Sequence, residues 1–198
     1  ARLSLPILRL AGKAPHRRRP VNSALGVTKA MNPADLRKPI LKSVHEALKT
    51  LGFRKTDSVF SRKSHDVVHL VEVQGSRHNA GSTARFTVNV AVYAPDLIPS
   101  DVREFRKPTV AAAHWSKRIG SYCTEPRDQW WEVRSTESAA QAAQDISDRI
   151  VRHALPDLAA LPNLAALVAL WQTGKSPGIT QKQCAEYLTT LKCHELKQ

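Results

Sequence analysis

The side chains best placed to act together sit on two neighbouring segments that read as β-strands, Val67–Gln74 and Ala84–Tyr93. Strand alternation puts Phe86, Val88, Val90 and Val92 in one apolar row and Arg85, Thr87, Asn89 and Tyr93 in the other. If Val71 and Val73 join the Phe86 row, Glu72 and Gln74 fall on the second face with Arg85, Thr87 and Asn89. With Arg118 and Trp130 alongside, the set holds a carboxylate, two amides, two guanidinium groups and an indole. That composition suits recognition of a peptide or a small anion. A plainer reading fits the same residues: Glu72–Arg85 as a cross-strand ion pair, with Trp130 capping the core.

Other chemistries lack their residues. Eight histidines invite a metal, but none has a recognised ligand spacing. His65 and His69 flank the strand-like Val67-Val68, Cys193-His194 is an isolated pair, and no C-x-x-C occurs. There is no G-x-S-x-G, and Gln74-Gly75-Ser76 lacks the strand–turn–helix setting of a nucleophile elbow. Cys123 reads as a small apolar residue at a strand end, or as a thiolate near Lys117 and Arg118. Gly174-Lys175-Ser176 lacks the upstream glycine of a phosphate loop. Asp145 and Asp148 read as a solvated helix face. The expectation is no catalytic residue, no cofactor and no metal.

These side chains must be positioned by a small set of elements. Leu36, Ile40, Val44, Leu48 and Leu51 mark a helix over about 35–51, closed by Gly52. Short strands are expected at Phe53–Lys55 and Val59–Arg62, with a polar break at residues 63–66. Gly75–Thr83 suits a hairpin loop between the two main strands. A loop-rich stretch follows Pro95, and further strands are expected at His114–Cys123 and Trp130–Arg134. Ser138 with Gln141 reads as the capping box of a helix bearing Ala139, Ala142, Ala143, Ile146 and Ile150, which Pro156 and Pro162 would break. Leu164, Leu167, Val168 and Trp171 mark a short helix ended by Gly174. Thr180 with Gln183 opens a last helix bearing Cys184, Tyr187, Leu188 and Leu191. Helix, antiparallel strands, then helices make an α+β fold: a sheet of four to five strands packed by an N-terminal helix and C-terminal helices.

The chain has 198 residues, 30 Lys+Arg against 17 Asp+Glu, and a net charge of +13. Residues 1–30 hold seven basic side chains and no acid, more than half of that excess. The segment is expected to be a disordered extension, with Met31 as a natural beginning; a transit peptide or a nucleic-acid arm with Arg17, Arg18 and Arg19 on phosphates are the alternatives. Residues 31–155 then form the α+β domain and 156–198 a helical segment packed on it. Three widely spaced cysteines favour a reducing compartment. No apolar run reaches the roughly 20 residues of a membrane helix.

Gly52-Phe53, Phe60, Arg62, Gln74, Ser76, Phe86, Asn89, Arg118-Ile119-Gly120, Asp128 and Trp130-Trp131 occur in a familiar order. The succession resembles the bacterial family catalogued as domain of unknown function 4304, over about residues 33–155. The resemblance implies a bacterial cytoplasmic setting and brings no activity with it. Two functions remain as expectations. One is a non-catalytic module that binds a protein partner, in the manner of an immunity or antitoxin protein. The other is nucleic-acid binding through Arg85, Tyr93 and Trp130, with help from the basic tail.

Overall fold

The computed structural model describes residues 32–98 and 107–195. The basic segment 1–30, with Arg17, Arg18 and Arg19, lies outside the described residues.

Helix α1 spans Pro33–Lys49, opened by the Asn32 side chain, which accepts from the Ala34 N–H at 3.0 Å. Leu36, Ile40, Val44 and Leu48, four residues apart, are fully buried on one face. Leu51, expected in the stripe, lies past the end of the helix and is 40% exposed. Gly52 then turns the chain with φ of 81°, in the left-handed region that glycine enters without strain.

Six strands make one antiparallel sheet: β1 (Arg54–Thr56), β2 (Val59–Ser64), β3 (Val67–Gly75), β4 (Ala84–Tyr93), β5 (Trp115–Arg118) and β6 (Trp131–Val133). The order is β1-β2-β3-β4-β5, and β6 also pairs with β4. Strands β5 and β6 therefore share one edge of β4, facing residues 89–92 and 84–86 respectively. The expected long strand over His114–Cys123 stops at Arg118 and turns away through Ile119–Tyr122. Steric closeness at Gly120 explains the departure: a Cβ there would overlap the Arg127 carbonyl oxygen and lie 2.8 Å from the Gln129 nitrogen. Residues 119–130 thus form a loop pinched shut at its neck. Thr87 Oγ1, in the gap between β5 and β6, donates to the Gln129 carbonyl at 2.8 Å.

Helix α2 (Thr136–Arg149) carries the expected apolar stripe, but its capping box is Ser135 with Ser138 rather than Ser138 with Gln141. Pro156 does not break the chain's helical course. The helix widens into one π-turn over Ile150–Ala154, where the Leu155 N–H reaches back to the Ile150 carbonyl, and continues as α3 (Leu155–Ala159). Proline lacks an N–H and crowds the carbonyl four residues back, and the widened turn accommodates both defects. Helices α4 (Leu164–Gln172) and α5 (Gln181–Glu195) follow, α5 opened by the expected Thr180–Gln183 capping box.

The fold is α+β. Leu36 and Val44 of α1, Ile146 of α2, Leu158 of α3, Trp171 of α4 and Cys184 of α5 join Phe60, Val71, Phe86, Val88, Val90 and Trp131 in one core. The opposite sheet face is split. At one end Leu70, Ala91, Tyr93 and Ile98 are buried with Val110, Ala112 and Ala113 packed over them. The other end is polar and open. Among the described residues no single helix is long and apolar enough to cross a membrane.

Candidate functional site

The register of β3 against β4 sets Glu72 opposite Asn89 and Gln74 opposite Thr87, and that of β4 against β5 sets Asn89 opposite Arg118. Paired residues share a face, so the expected polar set meets at the open end of the sheet. Asn89 is its hub. Its Nδ2 donates to Glu72 Oε2 at 3.0 Å and to Gln74 Oε1 at 2.8 Å, while its Oδ1 accepts from Arg118 Nε at 3.3 Å. Arg118 spends its other nitrogens on Asp128 Oδ1 at 2.6 Å and Gln74 Oε1 at 3.4 Å. The second Asp128 oxygen accepts from the Trp130 indole at 2.8 Å. The Arg85 and Arg118 guanidinium groups each lie 5.6 Å from the Trp130 ring centroid, within cation–π range.

The Trp130 hydrogen bond, and then the one from Arg118, hold the Asp128 carboxyl below its usual range. The acid thus stays ionised and fixes both partners. Asn89 and Arg118 also line a cavity of about 360 Å³ bounded by Ser116, Ser121, Pro177 and Gly178.

Several expectations change. Glu72 pairs with Asn89, and no Glu72–Arg85 ion pair forms among the described residues, because Arg85 lies opposite Glu132 of β6. Trp130 does not cap the core; its neighbour Trp131 does, 8% exposed, with its indole bonded to Asp145 at 2.7 Å. Asp145 also accepts from Arg149 at 2.9 Å, so it is a strut between β6 and α2 rather than part of a solvated face. Tyr93 is buried under residues 110–113 and is not on an open surface. The cation at Cys123 is Arg149, 3.6 Å from the sulfur, while Lys117 is engaged with Asp157 on the helical side. His69 is a core histidine: Nε2 meets the Leu161 carbonyl at 2.9 Å and Nδ1 meets Arg62 at 3.1 Å. Burial lowers its pKa and keeps it neutral. Among the described residues no group of three His, Cys, Asp or Glu could hold a metal ion; the Cys193 and His194 side chains lie outside the described set.

Two residues of the site were missed from periodicity. Asp128 lies outside any regular element, and Gly120 has a backbone role that no alternation shows. Both nonetheless stand in the ordered succession quoted above, which was the one available signal.

That succession has an independent counterpart. The family model described as "Domain of unknown function (DUF4304)" matches residues 44–160, more than half of the chain. The chain belongs to this family. The match runs from α1 to the end of α3 and contains all six residues of the polar set and Asp128, while α4 and α5 lie beyond it. No curated protein matches the chain, and no solved structure does.

Proposed function

We propose that this DUF4304 domain is a non-catalytic binding module that engages a protein partner through the open end of its sheet. The observation that supports this is the mounting of Trp130. Its indole is anchored by Asp128 and flanked by Arg85 and Arg118, and a bonded polar network on three strands holds Asp128 and Arg118 in place. Tryptophan and arginine on rigid elements are the residues that dominate binding energy at protein interfaces. The cavity beside Asn89 and Arg118 offers room for one partner side chain. The sheet-face nucleic-acid reading needs stacking aromatics, and the burial of Tyr93 leaves Trp130 as the one candidate on that face among the described residues. The reading takes up the bacterial cytoplasmic setting that the family resemblance implies, in which an immunity- or antitoxin-like role would put the partner in an adjacent gene.

The test is quantitative capture from the cells that encode the chain, with wild-type, Trp130→Ala and Arg85→Gln baits of matched circular dichroism. A protein recovered by the wild type and depleted about tenfold, roughly 1.4 kcal/mol, by both variants is the expected result. Recovery that ignores both substitutions, or recovered material that is nucleic acid released by nuclease, would sink the proposal.

A further inference from the structure

Counting the hydrogen-bonding capacity of the polar network shows what it leaves open. Asn89 uses its amide nitrogen on two acceptors and its oxygen on Arg118. Each Arg118 nitrogen and each Asp128 oxygen already has a partner in the network. Among the described residues, three other side chains of the polar set have a polar atom with no hydrogen-bond partner. The Arg85 guanidinium is exposed, lies over the Trp130 ring, acts electrostatically on the Asp128 carboxylate, and makes no hydrogen bond among the described residues. Gln74 accepts through Oε1 and has both amide hydrogens to give. Glu72 uses Oε2 and has Oε1 to accept.

These open groups are ordered along the sheet. Arg85 lies at the β6 end of β4, Gln74 is opposite Thr87, and Glu72 is opposite Asn89. Four residues of strand separate the Arg85 and Asn89 positions, about 13 Å. Donors therefore stand at one end and an acceptor at the other.

Resting on the binding-module reading, we infer that the ligand of this face is an extended acidic peptide segment of the partner. An Asp or Glu carboxylate of that segment accepts from Arg85 and Gln74 beside the Trp130 ring. A backbone N–H some four residues away donates to Glu72. A planar guanidinium matches a carboxylate or a phosphate bidentately, and two further features favour the carboxylate. Glu72, Asp128 and Glu132, three carboxylates on the same face, repel a dianion more strongly than a monoanion. An acceptor at Glu72 further calls for a ligand that also carries N–H donors, as a peptide backbone does and a phosphate does not.

Selection of a phage-displayed library of random dodecapeptides against the full chain tests this directly. Enriched peptides are expected to share an Asp or Glu at one position. Replacing that acid by its amide, or Arg85 by Gln in the protein, should weaken binding about tenfold, and Gln74→Leu should weaken it severalfold. Trp130→Phe, which keeps an aromatic face but loses the bond to Asp128, serves as a folded second variant and should also bind more weakly. Enriched peptides without an acidic position, or whose binding survives Arg85→Gln, overturn the inference. If such peptides still need Trp130, the binding-module reading stands while this inference falls. A library that enriches nothing overturns the inference as well, and the capture experiment then decides the broader reading separately.

Discussion

At the residue scale, Asn89 and Arg85 make a useful contrast. Both belong to the polar face, yet the Asn89 side chain is half-buried with three bonds, while the exposed Arg85 guanidinium makes none among the described residues. Asn89→Ala strips partners from Glu72, Gln74 and Arg118 at once, and should cost about 1–3 kcal/mol in urea unfolding. Arg85→Ala should fall within about 0.5 kcal/mol of wild type, since it breaks nothing that holds the fold. Equal losses for the two would show that Arg85 is structural. Gly120→Ala is the third case: the new methyl overlaps the Arg127 carbonyl, so the loop neck must open. A loss of about 1–3 kcal/mol is expected, together with a weakened Trp130 site, because Asp128 and Trp130 are carried by that neck.

At the element scale, the shared edge of β4 is the device that builds the site. An uninterrupted strand from residue 114 to 123 would have satisfied β4 equally well and left no loop to carry Asp128. Instead the edge is divided between β5 and β6, and the intervening loop folds back over the polar face. The free side of β5 is covered in turn. The Ser116 N–H reaches the Pro177 carbonyl at 3.5 Å, and Gly178, with φ of 79°, lies so close that a Cβ would strike Ser116. Gly178→Ala should lift the 175–180 loop off β5 and raise amide exchange at Ser116 and Lys117 in hydrogen-exchange measurements. Unchanged protection there would show that the loop is not what covers the edge. Of these features, the helical stripes and strand faces were legible in sequence, since each is a local period. The position of the break in the edge was not, because it is fixed by a contact between Gly120 and residues 127–129.

At the scale of the whole molecule, α4 and α5 lie past the family match yet complete its core through Leu167, Trp171 and Cys184. The chain leading into them is tied to the β2–β3 turn. Ser64 donates to the Pro162 carbonyl at 2.8 Å, the Leu164 N–H reaches Asp66 at 2.9 Å, and His69 meets the Leu161 carbonyl. Truncation after Ala160 should therefore expose the core around His69 and remove the protease resistance of the sheet, which limited proteolysis would read. A truncated chain as resistant as the full one would refute that dependence.

Burial also makes stability pH-dependent. His114 packs between Tyr93 and Tyr187, with ring centroids 5.4 and 5.0 Å away, and Nδ1 accepts from the Ala94 N–H. Burial pushes its pKa from 6.5 down to about 4. Between those values the unfolded chain binds the extra proton and the folded chain does not, so stability falls as pH drops through that window. The loss amounts to about 3 kcal/mol for this group, and buried His69 adds to it in the same direction. Urea unfolding from about pH 7 to about pH 4 should show the decline, and His114→Gln should flatten it. An equally steep decline in that variant would place the titration elsewhere.

The sequence by itself determined the α+β class, the buried stripes of the helices, the two faces of β3 and β4, and therefore which polar side chains share a surface. These follow from periods of 2 and 3.6 residues, which any short window displays. Only the tertiary structure decided who bonds to whom on that surface. Register set Glu72 opposite Asn89 and Arg85 opposite Glu132, a close backbone approach that leaves no room for a Cβ at Gly120 turned the chain so that Asp128 meets the Trp130 indole, and residues 110–113 closed over Tyr93. Each outcome depends on segments roughly 7 to 47 residues apart meeting at van der Waals distance, which local periodicity does not carry.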